Sequence, residues 1–257
     1  MNYRNIRAII VDLDGTLLHT DKTLSKYTIQ TLEKCRQQGI YIMIATARPL
    51  RNTLPYTQMF HFDAMVVSNG ARIVYQGKRE ERNIPKETAL EFVRALSDHE
   101  NLRITLETSD SAYSNYPIEE YETVVIKDLA PIIEKEMILK VLVHLDRADT
   151  LSTVQKEMPK SMHYSVSQGF LMQMMDYSAT KWNGVKTLLE HLRIDIANAV
   201  YFGDDNDDIE PIKCCGHGVT LSNGIDAVKA VADAIAESND HDGVAKFIEQ
   251  QILIDKI

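Results

Sequence analysis

The run Ile9-Ile10-Val11-Asp12-Leu13-Asp14-Gly15-Thr16-Leu17 is apolar for about the length of a strand and then breaks into two carboxylates, a glycine and a threonine. It reads as a buried strand delivering acids to a site. Side chains two apart on a strand point the same way, so Asp12 and Asp14 converge on one spot. Gly15 lets the backbone turn sharply behind them. Two like charges held together oppose each other's ionisation, and a cation or a shared proton must relieve them. Asp, Gly and Thr are also common turn residues, so an acidic turn is the plain alternative.

Apolar strand-like runs recur at Ala8 to Leu13, Ile40 to Ala45, Ala64 to Ser68 and Ala199 to Phe202, separated early on by helical patterns. That alternation predicts an α/β fold, a Rossmann-like doubly wound parallel sheet with crossover helices. The first helix is expected from Ser25 to Gln38, with Ser25 as N-cap and Gly39 as its stop. From about Ile84 the texture changes to one helical segment, Pro85 to Ser97, and shorter alternating stretches around Arg103 to Glu107, Leu139 to Leu145, Met162 to Val166 and Phe170 to Met175. The expected organisation is a core of residues 1–83 plus 178–257 with a smaller α+β unit, 84–177, inserted in it. The partly alternating Met162, Met172, Met174 and Met175 read as core or a flexible pocket lining.

A chain of 257 residues can bury a full core. Its net charge of -9 argues against a nonspecific nucleic-acid or anionic-membrane surface. No segment has the length of a membrane span or the pattern of a signal peptide. Cys35, Cys214 and Cys215 make an odd number with an adjacent pair, which fits a reducing cytoplasm.

Ligands of open α/β sheets bind outside the carboxyl ends of the strands, and each further motif sits at such an end. Ile42-Met43-Ile44-Ala45-Thr46-Ala47-Arg48-Pro49 is a second strand closing on a hydroxyl before a helix start; Thr46 and the N–H groups after it suit an anionic oxygen or a simple cap. Val200 to Asp208 is a third, with aspartates at 204, 205, 207 and 208, a density of hard oxygens that suits Mg²⁺. Lys181 precedes the helix leading into that strand, where its ammonium can neutralise carboxylate and phosphate together. Asn69, before Gly70, is a substrate contact, an orienter of Asp12 or a turn residue; Arg48 grips a substrate anion or faces solvent.

The ordered set of VDLDGT (Val11 to Thr16), Thr46, Lys181 and GDDNDD (Gly203 to Asp208) resembles the haloacid dehalogenase-like phosphatases, specifically the Cof-type branch. The resemblance spans the whole chain, including Ser68-Asn69-Gly70 and Ser238 to Val244. It implies that Asp12 is a nucleophile forming an aspartyl-phosphate and that Asp14 is the general acid and base. It further implies Mg²⁺ held by Asp12, Asp14 through its carbonyl, Asp204 and Asp208. Thr46 and Lys181 are the implied contacts to the phosphoryl oxygens, Ala47, Arg48 and Asn69 are further candidates for substrate binding, and the inserted segment is the implied cap of the family. The expected substrate is a small phosphorylated metabolite, a sugar phosphate or a phosphorylated cofactor, with no nucleic-acid or membrane partner.

Three departures stand out. Ala47 occupies a position where the family has glycine, Asp207 one where it has asparagine, and Pro211 one where it has methionine, so the helix that follows the acidic motif is expected to begin late or kink. A sugar phosphomutase on the same core, a phospho-receiver-like switch and a catalytically silent binding protein remain as other readings.

Overall fold

The computed structural model describes residues 3, 5–118, 122–167 and 169–253. In chain order, β1 (Ala8–Val11), α1 (Lys26–Gln37), β2 (Tyr41–Ala45), α2 (Leu50–Met59), β3 (Ala64–Val67) and the hairpin strands β4 (Arg72–Tyr75) and β5 (Lys78–Glu81) come first. Next are α3 (Lys86–Ser97), β6 (Ile104–Thr108), β7 (Ala112–Ser114), β8 (Val124–Val125), α4 (Ala130–Lys135), β9 (Ile138–His144), α5 (Thr150–Glu157), β10 (Met162–Ser167) and β11 (Leu171–Asp176). The chain then continues through α6 (Lys181–His191), β12 (Ala199–Gly203), α7 (Ile209–Cys214), β13 (His217–Leu221), α8 (Asp226–Lys229), β14 (Ala234–Ala236) and α9 (Gly243–Gln251).

Two compact units result, Met1–Glu80 with Thr180–Ile257, and Glu81–Ala179. The first is built on a sheet of order β14-β13-β12-β1-β2-β3-β4-β5. β1 pairs in parallel with β2 on one side and β12 on the other. Beyond β3 the strand β4 runs antiparallel to it, with β5 at the edge, an addition to the all-parallel sheet expected from the sequence.

The apolar runs are continuous because both faces are buried. Ile9, Val11, Ile42, Ile44, Val200 and Phe202 pack towards Leu32 and Cys35 of α1 and Ile248 of α9. The alternate residues Ala8, Ile10, Met43, Ala45 and Tyr201 pack towards Val185, Leu188 and Leu189 of α6. Helix α1 starts where expected, the Ser25 hydroxyl accepting the Thr28 N–H at 2.9 Å.

The second unit carries a sheet of order β10-β11-β9-β6-β7-β8. One face, with Leu106, Val141, Val143, Met172 and Met174, joins Phe92, Ile133 and Val154 of its three helices in a single cluster. Met162 belongs to that cluster too, while Met175 is buried outside it. Among the described residues no helix is long and apolar enough to cross a membrane.

Candidate active site

Asp12 directly follows β1. The period of two along that strand gives it the parity of Ala8 and Ile10, on the side of the sheet where α6 packs. Lys181 is the first residue of α6, a helix capped by the Thr180 hydroxyl, which accepts the Asn183 N–H at 3.0 Å. The Lys181 ammonium donates to Asp12 Oδ1 at 3.0 Å and to Asp208 Oδ1 at 2.8 Å. All three side chains are buried.

Asp208 is the anchor of this group. Its Oδ1 also accepts the Tyr201 hydroxyl at 2.6 Å, and its Oδ2 accepts the N–H groups of Asp204 and Asp205 at 3.1 Å each. Both carboxylate oxygens are therefore in use before any ligand arrives. Tyr201 lies on β12, where its sequence context signals core and nothing more.

Asp204 is held from the opposite loop. The Thr16 hydroxyl donates to its Oδ1 at 2.6 Å, and Gly15, at φ +77°, leaves the space its carboxylate fills, since a Cβ there would overlap it. The Gly15 carbonyl accepts the Asn223 amide at 2.7 Å, and Asn223 Oδ1 accepts the Asn239 N–H at 3.0 Å. Asn239 in turn donates its amide to the Leu18 carbonyl at 2.9 Å. Asn223 and the 238–244 segment thus brace the loop behind Asp12 and Asp14.

Asp12, Asp204 and Asp208 each offer a carboxylate oxygen within 4.8 Å of the others. Burial pushes the Asp12 carboxyl well above the usual range; Lys181 opposes the shift, and Asp208 and Asp204 add to it. Burial likewise takes Asp204 up to about 6, against the Thr16 hydrogen bond and with the Asp208 charge. For Lys181, burial works to lower the pKa, but Asp12, Asp208 and Asp207 hold it well above the usual lysine value. One buried ammonium thus leaves negative charge uncompensated at Asp12 and Asp204. A hard divalent cation fits both the oxygen donors and that charge.

Asp14 lies outside this trio. Arg48 grips its carboxylate with two prongs, Nε to Oδ2 at 2.5 Å and Nη2 to Oδ1 at 2.7 Å, and the Lys22 ammonium adds a contact to Oδ1 at 2.7 Å. Partial burial works to raise Asp14, but Arg48 and Lys22 together hold it below the usual carboxylate value. The Tyr56 hydroxyl accepts from Arg48 Nη1 and donates to the Lys22 carbonyl, both at 3.2 Å, with the guanidinium over its ring. Neither Lys22 nor Tyr56 carries a signal in the sequence. Arg48, open in the sequence between a substrate anion and solvent, is on Asp14.

Thr46 closes β2 and is buried; its hydroxyl accepts the Arg48 N–H at 3.2 Å, and half-buried Ala47 lies between them. The Thr46 carbonyl accepts the Asn69 N–H at 3.1 Å. The Asn69 side-chain amide donates to Asp207 Oδ2, which joins the strand end after β3 to the acidic loop. That loop makes a 3₁₀ turn over Asn206–Asp208 before α7. Pro211 falls in the first turn of α7, where a missing N–H costs no intrahelical bond.

A family model described as haloacid dehalogenase-like hydrolase matches residues 9–248. The 5-amino-6-(5-phospho-D-ribitylamino)uracil phosphatase YitU of Bacillus subtilis is 26% identical over 261 residues, spanning 94% of this chain and 96% of its own. BT1666 of Bacteroides thetaiotaomicron, from a study of phosphatases of the same superfamily, superposes with a TM-score of 0.88 at 21% identity, covering 98% of this chain and 97% of its own. The subclass IIB sugar phosphatase BT4131 superposes at 0.84 with 20% identity, covering 95% and 98%. At those identities the two structures speak for the fold. With the matched family model spanning nearly the whole chain, the protein belongs to the haloacid dehalogenase-like hydrolases, among that superfamily's phosphatases.

Proposed function

We propose that this chain is a Mg²⁺-dependent phosphomonoesterase that hydrolyses a small phosphorylated metabolite, a sugar phosphate or a phosphorylated cofactor, by way of an aspartyl-phosphate at Asp12. The observation that carries this reading is the buried contact of Lys181 with both Asp12 and Asp208, beside Asp204. A carboxylate nucleophile divides one hard displacement into two easier ones.

In the first step an Asp12 oxygen attacks phosphorus, the bond to the leaving oxygen breaks, and Asp14 gives that oxygen a proton. In the second step water attacks phosphorus, Asp14 takes its proton, and the bond to Asp12 breaks to release inorganic phosphate. Lys181 and Thr46, with the backbone at Ala47, seat the phosphoryl oxygens. Lys181 also offsets their charge without a change of partner at Asp208. Asp12, Asp204 and the Asp14 carbonyl would hold Mg²⁺, with Asp208 supporting them from behind, and the ion would supply charge neutralisation and alignment of the phosphoryl group. The grip of Arg48 and Lys22 favours the ionised Asp14, the form that takes a proton from water.

The unit Glu81–Ala179 interrupts the chain between the second and third motifs, and we assign substrate choice to it. YitU acts on a phosphoribitylaminouracil by its name, and BT4131 is a sugar phosphatase; both substrates belong to the proposed class. A cytoplasmic setting suits such substrates and the reduced thiols of Cys35, Cys214 and Cys215.

The test is a screen of phosphorylated metabolites with Mg²⁺, following inorganic phosphate, with Asp12→Asn as the blank. Substrate-dependent phosphate release that the blank lacks is expected, and Asp14→Asn should accumulate phosphoenzyme. Wild-type turnover by Asp12→Asn would overturn the assignment. So would quantitative isomerisation of a sugar phosphate without phosphate release.

A further inference from the structure

The turn after β3 holds a run of left-handed backbone, Ser68 at φ +51°, Asn69 at +56° and Gly70 at +97°. Asparagine tolerates this region better than most residues, yet a non-glycine residue there is still strained. Strain of this kind persists where the surroundings demand it. Here two strand-end loops and the start of α6 make the demand. The Ser68 N–H donates to the Arg48 carbonyl at 2.9 Å and the Asn69 N–H to the Thr46 carbonyl, which fixes the turn to the loop after β2. Gly70 lies so close to Thr180 that a Cβ would overlap the Thr180 carbonyl oxygen, and Thr180 is the residue before Lys181. The buried Asn69 amide reaches Asp207, the residue before Asp208.

The turn therefore touches the immediate neighbours of both partners in the Lys181–Asp208 contact. Asp207 stands where the family resemblance leads one to expect asparagine. A carboxylate presents acceptors only, so it can face the Asn69 amide in one sense. We propose that Asn69 is a positioning residue: its hydrogen bond to Asp207, with Gly70 seated on Thr180, sets the register of Lys181 against Asp208 and so against Asp12. This rests on the phosphatase reading, and it makes Asn69 an organiser of the site instead of a substrate ligand.

A swap of donor and acceptor tests it. Wild type, Asn69→Asp, Asp207→Asn and the double variant are compared on p-nitrophenyl phosphate with Mg²⁺, and their urea midpoints are measured alongside. Asn69→Asp sets two carboxylates against each other, and kcat should fall about 100-fold with KM changed less than about threefold. The double variant restores the bond with its ends exchanged, and should recover at least about tenfold of that loss.

A double variant no better than Asn69→Asp would overturn the proposal. So would a loss confined to KM, or a changed ranking of substrates, because either marks a group that touches the substrate. If Asn69→Asp does not fold, the cycle is run with Asn69→Gly, which keeps the backbone conformation, and Asp207→Ala. Coupled losses in kcat support the proposal and additive ones sink it. A folded wild type inactive on every phosphomonoester would instead defeat the proposed function. The coupling between Asn69 and Asp207 would then be read in the urea midpoints alone.

Discussion

Arg48 and Asp14 form a two-pronged ion pair, with the guanidinium backed by the Tyr56 ring and hydroxyl. Arginine matches a carboxylate in this fork geometry as lysine cannot. It ties the end of β2 to the loop after β1, and it sets how readily Asp14 holds a proton.

Removing that fork should change the pH profile. In Arg48→Ala the Asp14 carboxyl loses most of what holds it down, and its pKa rises. The basic limb of kcat/KM, where the first step loses the proton that Asp14 gives to the leaving oxygen, should then move to higher pH. The stability effect has the same origin. A carboxyl held below its unfolded value stabilises the fold above that value, and the benefit is lost as pH falls through the folded pKa. Arg48→Ala should therefore lose less stability on acidification than wild type. Rates from pH 4 to 9 and urea titrations at both ends of that range check it; an unmoved basic limb would separate Arg48 from Asp14 function.

Asp12 and Asp204 predict an opposite sign. A carboxyl raised in the folded state destabilises the fold progressively as pH climbs from its unfolded value, about 3.9, through the folded one. Asp204, at about 6, gives this loss between those two values in chelator, and Asp12 adds to it in the same direction. Asp12→Asn should consequently melt higher than wild type in EDTA at pH 7, despite losing one partner of Lys181. Mg²⁺ should reverse the order. At ten times its Kd the ion stabilises wild type by about 1.4 kcal/mol, roughly 3–5 °C for a chain of this size. Asp12→Asn and Asp204→Asn should gain less. Thermal melts with and without Mg²⁺ decide it, and equal gains in all three proteins would refute the shared site. Activity that survives complete metal removal would do the same.

Tyr201→Phe tests the anchor. It removes the hydroxyl from Asp208 Oδ1 while keeping the ring in the core. Stability should fall by about 1 kcal/mol and kcat by roughly 10-fold, because Lys181 then shares a carboxylate with fewer constraints. A change in KM alone, with kcat intact, would show that Tyr201 does not act through Asp208.

Much of this was legible in the chain. The period of two along β1 places Asp12 on the α6 side, and the apolar runs announce a sheet buried on both faces. The pairs Arg48–Asp14, Tyr201–Asp208 and Asn69–Asp207 were not legible. Each joins residues from separate segments or hides a polar tip on a core side chain, and spacing along one strand or helix carries no information about either. Strand β5 escaped notice for a local reason: Lys78 to Glu81 is too charged to read as sheet, and its edge position is what permits those charges.

Asp208 accepts from Lys181, Tyr201 and two backbone N–H groups, and these four donors define what can occupy the position. Asparagine would turn an NH₂ group towards donors on one side or the other, serine offers too few lone pairs, and glutamate carries its oxygens one methylene too far. The site thus has a valence that a single amino acid satisfies. Among relatives of this chain, replacement of this aspartate should mark a lineage that has kept the fold and given up the chemistry.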